Sequence, residues 1–259
     1  MFPRFCVGIC GASSVAVGFL PEDAGSATLR RRARGVVMRS FAEILAIAAE
    51  RKGGVDKVLA ATQAPLGPEA LAAIPADRWL AQMARGIFQA GISWTVVEAK
   101  WPGIEAAFDG FDIGRVSMMD DDRFEALLAD TRVIRSGPKI AAIRDNAAFI
   151  RRVEEQEGGF ARKVADWPAE DFLGLVDWLV KNGSRLGGNT GPYMLRQMGK
   201  ESYLLSQDVV ARLVAEGVID APPTARKARA AVQAAFDQWR AESGQSFNVI
   251  SRVLAQSIG

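Results

Sequence analysis

Apolar side chains in this chain recur at three- and four-residue spacing, in segments separated by glycine and proline. The clearest segment follows Pro75, where Trp79, Met83 and Ile87 fall on one face of a helix. No stretch of useful length alternates apolar and polar residues with the period of two that a half-buried strand requires. The sequence therefore predicts an all-α protein.

Local signals indicate where several helices begin and end. Ser40 and Glu43 have the spacing of a capping box at the start of a helix over 40–51. Asp77 is a candidate N-cap for the helix that contains Trp79. The next helix, which begins near Trp94, is predicted to end at Pro102 because proline lacks the backbone N–H of a helix interior. A closing pair of helices is predicted over 224–258.

Residues 1–37 differ in character from the rest of the chain. Their apolar start is broken by Gly and Ser, and a basic run occupies 30–34. We expect the folded domain to span 38–259. The preceding segment is interpreted as a disordered N-terminal extension or the product of a mis-assigned start codon. A cleaved export signal and a basic tail that reaches DNA are the alternatives.

The composition narrows the possible chemistry. The 259 residues include no histidine and only two cysteines, which removes the commonest metal ligand and the commonest general base. We therefore expect no metal and no cofactor, and the low cysteine content favours a reducing cytoplasm. The net charge of +2 means that any nucleic-acid surface must be a local patch. No stretch approaches the roughly 20 apolar residues of a membrane span, so no membrane association is expected.

A glycine-rich segment at 182–191 lies between two predicted helices. Glycine removes the side chains that would keep backbone N–H groups away from a phosphate, and a helix N-terminus beside it adds favourable charge. An ordinary turn between two helices is the alternative. The candidate DNA-binding residues of this hairpin are Arg185, Gly187, Gly188, Asn189, Thr190 and Gly191.

Three further side chains are candidates for direct contact with a substrate. Trp94 follows a turn at Gly91, and an aromatic ring there offers a face on which an unstacked base can lie. Tyr193 is a second candidate of this kind, and core packing is the alternative for both rings. Asp208 lies between two apolar pairs at the start of a predicted helix, where an acid often serves only as an N-cap.

An ordered string of residues runs through 79–150 and continues into the hairpin. It consists of Gln89-Ala90-Gly91-Ile92-Ser93-Trp94-Thr95-Val96-Val97, Lys100, Phe108, Phe111-Asp112, Ile134-Arg135, Gly137, Lys139-Ile140, Ile143 and Asn146-Ala147, followed by Gly183, Gly188, Thr190, Tyr193 and Gln197. This string resembles the 3-methyladenine DNA glycosylase I family. The resemblance implies a helix-hairpin-helix glycosylase fold, with two helical lobes and a cleft that receives a flipped base.

The chain departs from the family pattern at informative positions. The family's glutamate three residues before the Gln-Ala-Gly run is Gly86 here, and its Cys/His zinc site cannot form without histidine. Asp208 is placed much like the catalytic aspartate of the wider superfamily. The lysine of bifunctional members is Asn189 here, so the resemblance implies no Schiff-base step.

The resemblance implies a monofunctional DNA glycosylase that removes alkylated purines of the 3-methyladenine type during base excision repair. Its partner would be double-stranded DNA with a damaged base, and we expect it to act as a monomer. Asp208 would be catalytic, Trp94, Tyr193 and Gln89 would contact the base, and Lys139 would join the hairpin in binding DNA. The alternatives are a glycosylase for another lesion, because Gly86 would leave a roomier pocket, and a catalytically silent DNA-binding module.

Overall fold

The computed structural model describes residues 38–60, 62 and 64–258. Over these residues the regular secondary structure is entirely helical, which confirms the all-α prediction. Two short 3-10 turns, Asp109–Phe111 and Ala169–Asp171, accompany the α-helices. The α-helices are α1 (Phe41–Lys52), α2 (Val55–Leu59), α3 (Pro68–Ala72), α4 (Ala76–Gln89), α5 (Trp94–Ala107), α6 (Ile113–Ser117), α7 (Asp121–Ala129), α8 (Gly137–Gln156), α9 (Phe160–Asp166), α10 (Phe172–Asn182), α11 (Thr190–Gln197), α12 (Gln207–Ala215), α13 (Arg226–Ser243) and α14 (Phe247–Gln256).

The predicted helix ends are confirmed at one position and wrong at another. The capping box of α1 is present, with the Glu43 N–H donating to Ser40 Oγ and the Ser40 N–H donating to Glu43 Oε2. Asp77, however, is not the N-cap of α4. Pro75 takes that position in an extended conformation, and the Asp77 carboxylate instead accepts from the backbone N–H and Nε of Arg78.

The predicted end of α5 at Pro102 is also wrong, because the helix continues to Ala107. A proline in a helix interior removes one backbone hydrogen bond and crowds the preceding turn. Buried neighbours on both sides offset that cost. Trp101 stacks on Phe111 with ring centroids 5.5 Å apart, and Ile104 is fully buried.

The described helices pack in two groups. In the first group, which comprises α3 to α9, most of the contacts are made by α4 and α8. In the second group, α1, α2, α12, α13 and α14 pack together. Helices α10 and α11 join the groups, since α11 packs on α4 and α10 packs on α13. The hairpin therefore lies at the junction of the two groups.

Helix α12 is held in place by a buried charge cluster. Glu216, 1% exposed, follows α12 and accepts from the Arg39 backbone N–H, from Arg39 Nη1 and from Arg212 Nη1. Arg212 also donates from Nε and Nη2 to Ser257. These contacts fix the end of α12 to the start of α1 and the end of α14.

Among the described residues, no helix combines the length and the apolar character needed to cross a bilayer. In the same part of the chain, no group of three or more His, Cys, Asp or Glu side chains is placed to hold a metal ion. The interpretation of residues 1–37, including Cys6 and Cys10, lies outside the described residues.

Candidate nucleic-acid interface

The hairpin is a compact turn between α10 and α11. The Gly191 N–H donates to Leu186 O at 3.1 Å, and Leu186 is buried beneath the turn. A Cβ at Gly183 would lie 2.6 Å from Leu186 Cδ1 and 2.8 Å from Asn146 Oδ1. Packing therefore requires glycine at position 183.

The tip of the hairpin is open, in contrast to its base. Gly187 and Gly188 are both exposed, and no heavy atom lies within 4 Å of a Cβ built on either residue. Gly188 has a φ of +61°, and the exposed Arg185 also takes a left-handed φ of +58°. Arg185 is steadied in that conformation by a hydrogen bond from Nε to Pro138 O at 3.2 Å. The tip can therefore be approached closely by a ligand, as a phosphate-binding hairpin requires.

Asn146 fixes this hairpin to α8. Its side chain is fully buried, and its Oδ1 accepts from the Ser184 N–H at 2.8 Å. Its Nδ2 donates to Ser184 O at 2.9 Å, so both backbone groups of one hairpin residue are bound by one amide. Asn146 is part of the family string, but no sequence pattern predicts this role.

Two predicted DNA-binding side chains are engaged within the protein. Asn189 donates from Nδ2 to Leu205 O and accepts at Oδ1 from the Leu205 N–H, which links the hairpin to the segment that precedes α12. Lys139 Nζ donates to the carbonyl oxygens of Phe88 and Ala90 at the end of α4. Burial, and then the nearby Arg185 charge, lower the pKa of Lys139. DNA contact by these two residues stays a prediction, and here they hold the interface together.

Trp94 lies at the surface as the first residue of α5. The turn before it is made possible by Gly91, whose φ is +81°. The Trp94 side chain is 51% exposed, so core packing does not explain it. Its ring meets Tyr193 edge-to-face, with centroids 5.8 Å apart and planes at 77°. Tyr193 belongs to α11, the helix that begins at the hairpin, so its contact with Trp94 links the start of α5 to that helix.

The sequence predicted that Gly86, in place of the family's glutamate, would leave a roomier pocket, and this prediction is wrong. A Cβ at this position would lie 3.2 Å from Thr190 Cγ2. The first residue of α11 thus fills the space beside Gly86, and the glycine permits close packing of α4 and α11. Gln89 lies one turn further along α4, where its Nε2 donates to Glu98 Oε1 at 3.1 Å.

Asp208 is exposed at the second position of α12. It does not cap the helix, because Ser206 Oγ accepts from the Val209 N–H and is the N-cap. Among the described residues the Asp208 carboxylate has no hydrogen bond and no ion pair. Its place in the first turn puts the charge at the positive end of the helix dipole. The bond between Asn189 and Leu205 ties this segment to the hairpin.

A cavity of about 330 Å³ opens beside these elements. Tyr193 borders it from α11, and Ser206 and Val209, on either side of Asp208, border it from α12. Asp208 itself is not among the lining residues. Further polar lining comes from Gln197, Ser251 and Arg252, and from Arg196 on α11, Asn248 on α14 and Thr62. The last three residues could not be predicted as site residues, because no local sequence pattern connects segments so far apart in the chain.

The described residues thus form an all-α protein in which a glycine hairpin joins α10 to α11, Tyr193 of α11 meets the exposed Trp94 of α5, and Asp208 follows on α12. Residues 77–171 match the sequence model of the methyladenine glycosylase family. The match covers less than half of the 259 residues and shows that this segment is similar to that family.

The similarity to a curated relative covers only part of each chain. The chain is 37% identical over 67 residues to DNA-3-methyladenine glycosylase 1 of Escherichia coli strain K12. The match covers 26% of this chain and 36% of the relative, so the chain spans about a third of that protein's length.

Two solved structures of 3-methyladenine DNA glycosylase I are also similar to this chain. One is 28% identical, covers 48% of this chain and 78% of its own, and has a TM-score of 0.42. The other, from Staphylococcus aureus, is 20% identical, with 62% of this chain and 95% of its own covered at a TM-score of 0.45.

Proposed function

We propose that this protein is a monofunctional DNA glycosylase that hydrolyses the N-glycosidic bond of an alkylated purine of the 3-methyladenine type. The observation that carries the proposal is the exposed Trp94 in contact with Tyr193, which lies on the helix that follows an open glycine hairpin. The family match over 77–171 supports it. We further propose that the protein acts as a monomer on double-stranded DNA in the cytoplasm, without a metal or a cofactor.

The proposed chemistry assigns the charge-stabilising role to Asp208. Cleavage of the N-glycosidic bond builds positive charge on the deoxyribose, and a nearby carboxylate stabilises that charge and orients the attacking water. An alkylated, cationic purine is already a good leaving group, so the reaction does not need an imidazole acid. A lyase step is not proposed, because Asn189 has no amine and its amide is bound to Leu205.

Base recognition is assigned to the aromatic pair. The face of an electron-rich ring attracts a cationic base, and stacking adds to this attraction. The half-exposed indole of Trp94 has such a face available without unfolding any part of α5.

The direct test is release of free bases from methylated genomic DNA, analysed by chromatography. We expect the folded protein to release 3-methyladenine, and Asp208→Asn to release much less. A folded preparation that binds DNA but releases no base would contradict the proposed activity and leave a DNA-binding module.

A glycosylase for another lesion is the second candidate, and Gly86 favours it. The glutamate that the resemblance implies at this position would pair with a cationic base, whereas glycine carries no charge for such a base. Thr190 fills the space beside the glycine. Release of deaminated or oxidised bases, with no release of methylated ones, would establish this alternative.

Trp94→Ala is expected to weaken binding of the flipped base by roughly 1–3 kcal/mol, because one stacking face is lost. Thermal stability should change only modestly, since the side chain is half exposed. Trp79→Ala is the matched control: that indole is fully buried, and its loss should cost about 3–5 kcal/mol of folding stability. Single-turnover excision and melting temperature, measured on both variants, separate the two effects. A large fall in melting temperature with normal excision for Trp94→Ala would assign it to the core.

Gly188→Leu is expected to weaken binding to all DNA sequences alike and to reduce its salt dependence, because the side chain blocks phosphate from the hairpin tip. Gly244→Leu is the matched control. Both glycines have a positive φ, +61° and +67°, and open space around the Cβ position, so each variant carries similar backbone strain. DNA titrations at several salt concentrations provide the measurement. Equal effects of the two variants, or a loss confined to lesion-bearing DNA, would contradict the assignment.

A further inference from the structure

The side chain of Asn189 does not perform the role expected at its position. Asn189 is the N-cap of α11, where an asparagine oxygen normally accepts from the backbone N–H of the second or third helical residue. The third residue is Pro192, which has no N–H, and the Gly191 N–H already donates to Leu186 O. Asn189 therefore has no local donor to accept from, and its amide is free to make a longer-range contact.

That contact is made with the backbone of Leu205, which is 16 residues further along the chain. Asn189 Nδ2 donates to Leu205 O at 3.1 Å, and Asn189 Oδ1 accepts from the Leu205 N–H at 3.3 Å. Both polar backbone groups of Leu205 are thus bound by one amide. Leu205 directly precedes Ser206, the N-cap of α12, and Asp208 is the second residue of that helix. The Asn189 amide therefore fixes the backbone just before the segment that carries the carboxylate.

Two backbone N–H groups earlier in the same linker are held by α14. The Ser202 N–H donates to Asn248 Oδ1 at 3.0 Å, and the Leu204 N–H donates to Ser251 Oγ at 3.0 Å. Asn248 and Ser251 are both buried residues of α14. The hairpin and α14 therefore share the linker between α11 and α12, and the Asn189 contact is the one that adjoins α12.

We propose that Asn189 is a positioning residue, which places Asp208 according to the conformation of the hairpin. The exposed tip residues Gly187 and Gly188 immediately precede Asn189, so a phosphate bound at the tip contacts the same turn that holds Leu205. A displacement of about 1 Å at a reacting group costs on the order of 100-fold in rate, so the placement of α12 matters for excision. The inference rests on the proposed glycosylase function, and it adds a link between DNA binding and the catalytic step.

Asn189→Ala should reduce the single-turnover excision rate by about 10–100-fold, while the affinity for duplex DNA is unchanged. Asn189→Ser, which keeps a good N-cap residue but is too short to bind Leu205, should behave in the same way. In the Asp208→Asn background, Asn189→Ala should cause no further loss, because a positioning residue acts through the group that it places.

Asn182→Ala is the matched control. Asn182 is also a half-buried asparagine beside the hairpin, but its Nδ2 donates to Trp178 O within α10 and does not reach the linker. This variant also loses a hydrogen bond from a side-chain amide to the backbone, and it should reduce the excision rate far less than Asn189→Ala. Melting temperatures of all the variants show whether each one is folded.

Hydrogen exchange tests the link without relying on excision. Undamaged duplex DNA should slow amide exchange over residues 203–210 in the wild type and in Asn182→Ala, but not in Asn189→Ala. Such protection without any base release by the wild type would refute the glycosylase proposal and leave the link between the hairpin and α12 standing.

Three results would overturn the inference. The first is a wild-type excision rate in the folded Asn189→Ala variant, or a further loss when it is combined with Asp208→Asn. The second is an equal fall of excision and DNA affinity in Asn189→Ala, which would assign this side chain to DNA contact. The third is that DNA protects residues 203–210 no better in the wild type than in Asn189→Ala.

Discussion

Asp208→Asn is expected to reduce single-turnover excision by roughly 2.7–4 kcal/mol in activation free energy, or about 10²–10³-fold, while DNA binding is retained or tightened. The scale is that of losing one electrostatic stabiliser from a transition state. In the structure, this substitution removes the charge without breaking another contact. Asp208 is exposed, has no partner among the described residues and leaves capping of α12 to Ser206.

Asp122→Asn is the matched control for this experiment. Asp122 is also exposed and also occupies the second position of its helix, α7, which is capped by another residue, Asp120. The two variants should therefore lose the same small dipole interaction, about 0.3–1 kcal/mol at most. Only Asp208→Asn should lose excision. Unchanged turnover in Asp208→Asn would remove this carboxylate from the proposed mechanism.

Glu216→Gln is expected to lower the free energy of unfolding by about 3–5 kcal/mol, because it leaves the buried Arg212 without its counter-charge. The Glu216 side chain is fully buried, and the Arg212 side chain is only 7% exposed. The same carboxylate also accepts from Arg39, so α12 and the start of α1 lose a common anchor. Denaturant unfolding of both proteins provides the measurement.

Glu155→Gln controls for the loss of an ordinary ion pair. Glu155 pairs with Arg151 across one turn of α8, and both side chains are largely exposed. Such a pair contributes only about 0.3–0.5 kcal/mol. If Glu216→Gln were no more destabilising than this control, the buried cluster would not be what fixes α12.

The parts of this protein that local sequence could predict are those set by neighbouring residues. The capping box at Ser40, the Gly91 turn that brings Trp94 to the surface, and the glycine hairpin before α11 all depend on a few consecutive positions. Helix α9 was not identified, because its N-cap, Gly159, has no capping side chain, and the Phe160 N–H instead donates to Glu154 Oε1 six residues away. The assignments of Asp208, Gln89 and Lys139 came from the family resemblance and stay predictions.

The sequence by itself determined that the chain is helical and where the hairpin and its neighbouring aromatic lie. Only the tertiary structure decided what surrounds them. Thr190 fills the space beside Gly86, burial on both sides of Pro102 lets α5 continue, and Asn189 binds Leu205. The cavity joins Thr62 and Arg196 from segments that are distant in the chain. The reason is physical: helix formation and capping are governed by contacts within one or two turns, whereas the satisfaction of a buried polar or charged group depends on which distant segments pack against it.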